Sequence, residues 1–308
     1  MNRSFLLLLS LSFFSIKGTA QTVQSAGQNN YDSLVSTEET AENDNSVYRF
    51  KPAVDIPVTL IGTGWSGFAL TKIYSKDPSS VAKINSLRVS DINSFDRWAA
   101  DIHSNKAADA SDILFYGSMP LPIVLMLDKK IRKDAGKIGL LYLQAMGVNG
   151  FFYTGATYFT NRYRPYAYNP NVPMGDRTEG GAKNSFFAGH VALVGTSTFF
   201  VAKVFSDYHP ELKAKWIPFA LASAATAATG YLRHRGGRHF PSDIILGTTV
   251  GTLSGIMVPH LHKNKLFKDE NLSLLPFTGS SHGLSLVYRI DRKKEKINLS
   301  SVQKPEGL

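Results

Sequence analysis

The sequence predicts an all-α protein: a bundle of about six helices, embedded in or associated with a membrane, with a short C-terminal β-hairpin or tail. Three observations support this fold class. Long windows without Asp, Glu, Lys or Arg recur along the chain, small residues are frequent in them, and basic segments separate them. Such windows approach the roughly 20 residues needed to cross a bilayer. A water-soluble bundle with very apolar core helices is the alternative.

Composition narrows the class further. The chain has 308 residues, of which 43% are hydrophobic, and it has no cysteine. This excludes a disordered chain, a disulfide scaffold and a cysteine nucleophile. The 34 basic against 24 acidic residues give a formal charge of +10, which indicates an anionic partner. Because the basic residues lie in short segments between apolar helices, we expect a membrane surface or a phosphorylated substrate and no nucleic acid.

The N-terminus has the pattern of an export signal. Residues 1–20 combine Arg3, an apolar run over 5–16 and small residues at 18–20, which predicts a signal peptide. Residues 21–52 are polar and predict a flexible tail. We assign a helical domain to 53–262 and a basic segment, with a possible hairpin, to 263–308.

The helical domain contains five windows that predict long helices. The stretch 56–71 is shorter and broken by glycine, so we expect an interfacial or buried helix there. After a turn at 278–283, residues 284–290 have strand character. The five windows are 113–127, 138–161, 184–202, 216–232 and 244–262.

The basic segments predict an orientation. Residues 128–137 and 262–268 are strongly basic and should remain cytoplasmic. With the N-terminal tail exported, the segments 162–183 and 233–243 then face the periplasm. We expect a bacterial inner-membrane protein with its site on the periplasmic side. A soluble periplasmic or outer-membrane-associated protein is the alternative.

Residues suited to phosphate binding occur at helix ends on that side. Arg164 and Arg233 carry permanent charge and a fork of donors that matches phosphoryl oxygens. Gly189 lies in the first turn of a predicted helix, where free amides and the helix dipole favour an anion. An arginine at a helix end often serves only as an anchor, so the combination is more informative than any single residue.

Two histidines and one aspartate accompany these groups. His190 and His239 can exchange protons near neutral pH. Asp243 follows His239 by four residues, so the two share one face if the segment is helical. The carboxylate could then fix the imidazole tautomer and leave the other ring nitrogen free to attack. A histidine at a helix end is more often structural, and so is a His–Asp pair on a solvated face.

The ordered segments resemble the type 2 phosphatidic acid phosphatase (PAP2) superfamily over about residues 110–262. That family carries Lys-x6-Arg-Pro, Pro-Ser-Gly-His and Ser-Arg-x5-His-x3-Asp. Here Arg164-Pro165 matches the end of the first motif and Gly189-His190 the end of the second. The third motif is matched by Arg233, His239 and Asp243.

The resemblance implies a role for each matched residue. His239 would form a phosphohistidine, Asp243 would orient it, and His190 would protonate the leaving oxygen. Arg164, Arg233 and the Gly189 amide would hold the phosphoryl oxygens. No metal or other cofactor is implied, because the arginines supply the positive charge.

The sequence departs from each of the three family motifs. Thr157 stands at the lysine of the first motif, Phe187-Ala188 at the Pro-Ser of the second, and Leu232 at the serine of the third. We therefore expect an auxiliary cation near the site. The candidates are Arg162, Lys183 and Arg238.

The sequence thus favours a phosphatase acting on a phosphomonoester or pyrophosphate of a membrane lipid. Candidate substrates are an isoprenoid carrier, a lipid A phosphate or a glycerophospholipid phosphate. A soluble periplasmic acid phosphatase acting on small esters would use the same residues. A third hypothesis is a non-catalytic protein that binds phosphorylated lipid.

Overall fold

The computed structural model describes residues 46–264 and the strands 272–278 and 282–288. The predicted signal peptide and most of the predicted tail lie outside these residues. The helices are α1 (Pro52–Tyr74), α2 (Val81–Asn85), α3 (Asn105–Ser118), α4 (Lys129–Arg132), α5 (Ala135–Phe159), α6 (Met174–Thr178), α7 (Gly189–Tyr208), α8 (Trp216–Arg235) and α9 (Pro241–Leu261); the strands are β1 (Leu272–Thr278) and β2 (His282–Tyr288).

Six of these helices are 14 residues or longer and form the bundle: α1, α3, α5, α7, α8 and α9. Helix α7 is the most buried and packs against α3, α5, α8 and α9, while α1 packs on the outer side of α5. The predicted all-α bundle of about six helices is confirmed.

Helices α7 and α9 meet along small residues, in what we call the α7–α9 seam. Gly247, Gly251 and Gly255 recur every fourth residue on α9 and face Ala188, Ala192 and Thr196 of the α7 region. A Cβ at Gly247 would lie 2.6 Å from the carbonyl oxygen of Ala188, and one at Gly251 would overlap the carbonyl oxygen of Ala192. Small residues at this spacing allow two helix backbones to approach closely.

Helix α1 packs on α5 in the same way. A Cβ at Gly62 would lie 2.8 Å from the carbonyl group of Gly147. The opposite face of α1 is exposed, with Leu60 and Ile61 each 64% accessible. The expectation of a short or buried helix over 56–71 was wrong, and an interfacial position stays a prediction. Gly62 mediates packing on α5, and α1 continues for 23 residues, most of them not buried.

Within the described residues, four helical segments are long and apolar enough to cross a membrane: α1, residues 105–127, α7 and α9. The segment 105–127 joins α3 to a short 3-10 helix at Leu121–Leu127. Helices α5 and α8 occupy the predicted windows 138–161 and 216–232, but they are not in this set. They are long enough, but α5 carries Gln144 and Asn149, and α8 is rich in alanine, serine and threonine.

The described parts of the basic segments, residues 128–137 and 262–264, lie at one end of the bundle. His209, which follows α7, contacts Asp128 through its Nε2, 2.9 Å from the carboxylate. Lys263, which follows α9, lies 2.7 Å from Asp207 at the end of α7. The predicted phosphate-binding segments lie at the opposite ends of α5, α7 and α9. The two sets of residues are therefore separated by the length of the bundle.

The strands β1 and β2 pair antiparallel, from Leu272 opposite Tyr288 to Thr278 opposite His282. The C-terminal hairpin expected from the sequence is present. The predicted turn over 278–283 was too wide, since Thr278 still belongs to β1 and His282 and Gly283 already belong to β2.

We expect Gly251→Ala to lower the free energy of unfolding by about 1–3 kcal/mol, because the new methyl group would overlap the backbone of α7. Gly139→Ala in α5 is the matched control, since a Cβ there meets nothing within 4 Å. That change should be neutral or stabilise by up to ~1 kcal/mol. Thermal unfolding in detergent micelles measures both variants. Equal stability of the two would contradict close packing at the seam.

Candidate active site

His239 is placed by the turn that ends α8. Gly237 has φ of +65°, and a Cβ on it would also overlap the carbonyl oxygen of Ile102. The amide of Arg238 then donates to the carbonyl of Arg233, at 3.0 Å. Only glycine adopts this backbone conformation without strain. The turn directs the chain back into the bundle, so that His239 is 2% exposed.

The hydrogen bond of His239 defines its tautomer. Its Nδ1 lies 2.7 Å from the carbonyl oxygen of Ser185. A carbonyl only accepts, so Nδ1 carries the proton and Nε2 keeps its lone pair. Burial, together with the nearby charges of Arg164 and Arg233, holds the pKa of His239 well below its ordinary value of about 6.5. The ring is therefore neutral at pH 7, with one nitrogen available as a nucleophile.

The two predicted phosphate-binding arginines lie beside His239. Arg233 NH1 donates to Ser111 Oγ and approaches Asp112 Oδ1, both at 3.2 Å. Arg164 NH2 donates to the carbonyl of Asn184 at 3.3 Å. The Nε of each arginine is buried and has no hydrogen-bond partner among the described residues. Because unpaired buried donors are costly, this arrangement favours a bound anion.

His190 occupies the first turn of α7 and pairs with a residue that the sequence analysis missed. Its Nε2 lies 3.1 Å from Asp112 Oδ1, and its ring stacks on Phe115 with centroids 4.0 Å apart. Asp112 thus contacts both His190 and Arg233. Its signal in the sequence is weak: a single carboxylate immediately before an apolar window of α3.

Gly189 is fixed by packing. A Cβ there would lie 2.5 Å from the ring of Tyr153, so only glycine fits at this position. As the first residue of α7, its amide has no acceptor within the helix. The start of α7 therefore presents free donors on the same side as His190.

Asp243 does not contact His239 directly, contrary to the expectation. It accepts hydrogen bonds from Ser185 Oγ at 2.6 Å and from the amide of Phe240 at 2.9 Å, and it pairs with Arg162. Ser185 also provides the carbonyl that holds His239. Asp243 is therefore linked to His239 only indirectly, through Ser185.

The predicted auxiliary role of Arg162 does not fit its contacts. Its two terminal nitrogens are taken by carboxylates: NH1 by Asp243 and NH2 by Asp96, the latter at 2.6 Å. Asp96 is fully buried and also accepts from the amide of Ser242, at 2.9 Å. Arg162 is thus a structural bridge, and Asp96 is a buried partner that the sequence did not reveal.

The electrostatics of Asp96 follow from the same contacts. Burial raises its pKa, but hydrogen bonds from Ser242 and Asn93 and the contact with Arg162 lower it more. The net pKa lies below the ordinary value. The carboxylate therefore stays charged at neutral pH, where it stabilises the ion pair.

Lys183 and Arg238, the other two candidates for the auxiliary cation, differ in their contacts. Lys183 donates to the carbonyl of Asp77 at 2.7 Å and so points out of the site. Arg238 lies over the ring of Tyr166, 5.3 Å from its centroid, and its charge acts on Arg164 and Arg233. Of the three, only Arg238 remains close to the site without a carboxylate partner among the described residues.

A threonine, Thr157, stands at the position of the motif lysine. Thr157 is buried and its hydroxyl donates to the carbonyl of Phe186 at 3.0 Å. Lys76, which follows α1, donates to the carbonyls of Thr157 and Thr160, both at 2.7 Å. The ammonium group of Lys76 therefore caps the C-terminal end of α5. The sequence analysis missed this residue.

No group of three or more His, Asp or Glu side chains suited to a metal ion occurs within the described ranges. What these ranges do bring together is a neutral imidazole, two arginines with spare donors, and a His–Asp pair. Such a site can bind a phosphoryl group, attack it through nitrogen and supply a proton.

Residues 138–267 of this helical bundle match the family model of the PAP2 superfamily. The recognition made from the motifs is confirmed. No curated protein matches the chain.

One solved structure is similar: the first transmembrane PAP2 type phosphatidylglycerolphosphate phosphatase from Bacillus subtilis. The two chains are 18% identical, with a TM-score of 0.43, and the match covers 68% of this chain and 99% of the other.

We expect Asp96→Asn to lower the free energy of unfolding by about 3 kcal/mol at pH 7, because it removes one partner of a buried ion pair. Since the pKa of Asp96 is lowered by folding, this stability is present above the unfolded pKa of about 3.9 and lost as pH falls through the folded pKa. Thermal unfolding between pH 3 and 7 measures it. Asp91→Asn, at an exposed carboxylate nearby, should change stability by less than about 0.5 kcal/mol; similar losses in both variants would contradict the assignment.

Proposed function

We propose that the protein hydrolyses a phosphomonoester or pyrophosphate of a membrane lipid through a phosphohistidine on His239. The observation that carries this proposal is the state of His239: neutral, with a free Nε2, beside arginine donors that have no partner among the described residues. A neutral imidazole nitrogen facing unpaired guanidinium donors is suited to attack a bound phosphoryl group.

The reaction has two balanced steps. First, His239 Nε2 attacks phosphorus, a P–N bond forms, the bond to the leaving oxygen breaks, and His190 donates a proton to that oxygen. Water then attacks phosphorus, His190 takes a proton from the water, and the P–N bond breaks to release phosphate. Arg164, Arg233 and the first-turn amides of α7 stabilise the charge on the phosphoryl oxygens.

The carboxylates have positioning roles in this scheme. Asp112 holds the ring of His190 in place through its contact with Nε2, and an acid–base histidine requires such positioning. Asp243 fixes Ser185, whose carbonyl keeps the proton of His239 on Nδ1. Arg238 is the auxiliary cation that compensates for the absent motif lysine.

The exposed apolar surface supports a lipid substrate over a small soluble ester. Ile61 and Leu60 on α1 and Leu221 on α8 are each more than 60% exposed, which suits contact with acyl chains. The site lies at the end of the bundle opposite the basic segments. By the preference of basic segments for the cytoplasm, we place the site at the periplasmic face of the inner membrane. Isoprenoid, lipid A and glycerophospholipid phosphates all offer the required group.

Phosphate release from a panel of lipid and soluble phosphates tests this function. We expect wild type to release phosphate, with lipid substrates preferred, and His239→Ala to lose activity by on the order of 10³-fold or more. His234→Ala, five residues earlier, is the matched control: its ring packs on Trp98, and activity should stay within about threefold. Lipid binding by wild type without phosphate release would instead establish the non-catalytic protein.

The role of Asp112 is tested by leaving-group dependence. We expect Asp112→Asn to lower kcat/KM for an alkyl phosphate by on the order of 10²-fold, because His190 loses the group that orients it. With nitrophenyl phosphate, whose leaving oxygen needs no proton, the loss should be less than about fivefold. Because Asp112 also contacts Arg233, KM for both substrates is measured. Equal losses of kcat/KM, which reports the phosphorylation step, with both substrates would contradict a role through His190.

A further inference from the structure

A cavity outside the candidate active site lies far from His239. It is a cleft of about 760 Å³ between α1, α5 and α9, near the start of α1 and the end of α9. The candidate active site is at the other end of α9. The walls of the cleft are apolar, and they include Val54, Val58, Val148, Phe152, Leu253 and Met257.

The opening of the cleft carries positive charge. Arg49 and Lys51 line it, are exposed, and have no side-chain partner among the described residues. Lys263 also lines it, but it is paired with Asp207. The one carboxylate in the lining, Asp55, is itself paired with His262 at 2.8 Å. Two unpaired cations therefore face the opening.

A buried polar group also lines the cleft. Gln144 of α5 lines the cleft and is 4% exposed. Its Nε2 lies 3.4 Å from Asp55 Oδ1, whereas its Oε1 has no hydrogen-bond partner within the described part of the chain. A buried acceptor without a donor is costly, so it favours a ligand that brings a hydroxyl group or another donor.

We propose that this cleft is a second lipid site, which binds one anionic phospholipid with an acyl chain between α1 and α9 and its phosphate at Arg49 and Lys51. Apolar walls on membrane-spanning helices suit an acyl chain, and the two unpaired cations complement an anionic headgroup. The orphan acceptor on Gln144 lies where a hydroxyl of the headgroup would reach. The site is at the end of the bundle that carries the basic segments, so its lipid comes from the membrane leaflet opposite the candidate active site.

Binding of phosphatidylglycerol to the full chain, freed of lipid in detergent, tests this site by native mass spectrometry. Phosphatidylglycerol is a phosphodiester and offers no phosphomonoester to the candidate active site. All proteins carry His239→Ala, so the result does not depend on the proposed function. We expect one phosphatidylglycerol to be retained in preference to phosphatidylcholine. Arg49→Gln/Lys51→Gln should weaken its binding by about tenfold.

The control pair is Arg132→Gln/Lys133→Gln, which removes the same charges from exposed positions at the same end of the bundle, outside the cleft. It should bind phosphatidylglycerol within about twofold of the parent. Val58→Trp, which fills the cleft, should abolish retention of the lipid, with unchanged unfolding temperature in detergent showing that the bundle is intact. Equal retention of the two lipids, equal loss in both charge pairs, or full retention by Val58→Trp would each overturn the proposal.

Discussion

The close contact of α7 with α9 is the constraint on which the candidate site depends. Three glycines at four-residue spacing bring the two backbones together, and the seam extends to the first turns of both helices. There the amide of Ala188 donates to the carbonyl of Asp243, at 3.1 Å. Gly189 and His190 therefore emerge beside the start of α9, and the turn before α9 brings His239 to the same place. Helix packing in the bundle core thus fixes the relative position of two motifs that are about 50 residues apart.

Charge is distributed unevenly within the site. The buried carboxylates are paired with cations: Asp96 and Asp243 share Arg162, and the half-exposed Asp112 contacts His190 and Arg233. Pairing of this kind meets much of the cost of burying charge. Arg164 and Arg233 carry spare donors near His239, which burial and the charges of these arginines keep neutral. The region thus carries a local excess of positive charge, which a phosphoryl anion would balance.

Much of this arrangement could be predicted from the sequence, because the motif residues lie close together along the chain. The apolar windows 216–232 and 244–262 placed Arg233, His239 and Asp243 between the end of α8 and the first turn of α9. The partners could not be predicted, since Asp96 and Arg162 are 66 residues apart and Asp112 and Arg233 are 121 apart. Side-chain contacts over such separations depend on the packing of the helices and leave no local pattern. The length of α1 was missed for a related reason. Gly62 packs against Gly147 of α5, and the local sequence pattern does not show this contact.

The polar contacts of Asp96, Asp112 and Lys76 determine which part of the chain is needed to assemble the site. All three residues precede position 138, where the match to the family model begins, yet each supplies a charge to a group inside the matched region. A fragment restricted to residues 138–267 would contain the histidines and arginines but leave Arg233 without its carboxylate and the end of α5 without its ammonium. Residues 138–267 are therefore not sufficient to form the site on their own. The smallest unit able to assemble the site includes α1, the segment up to α3, and α3 itself.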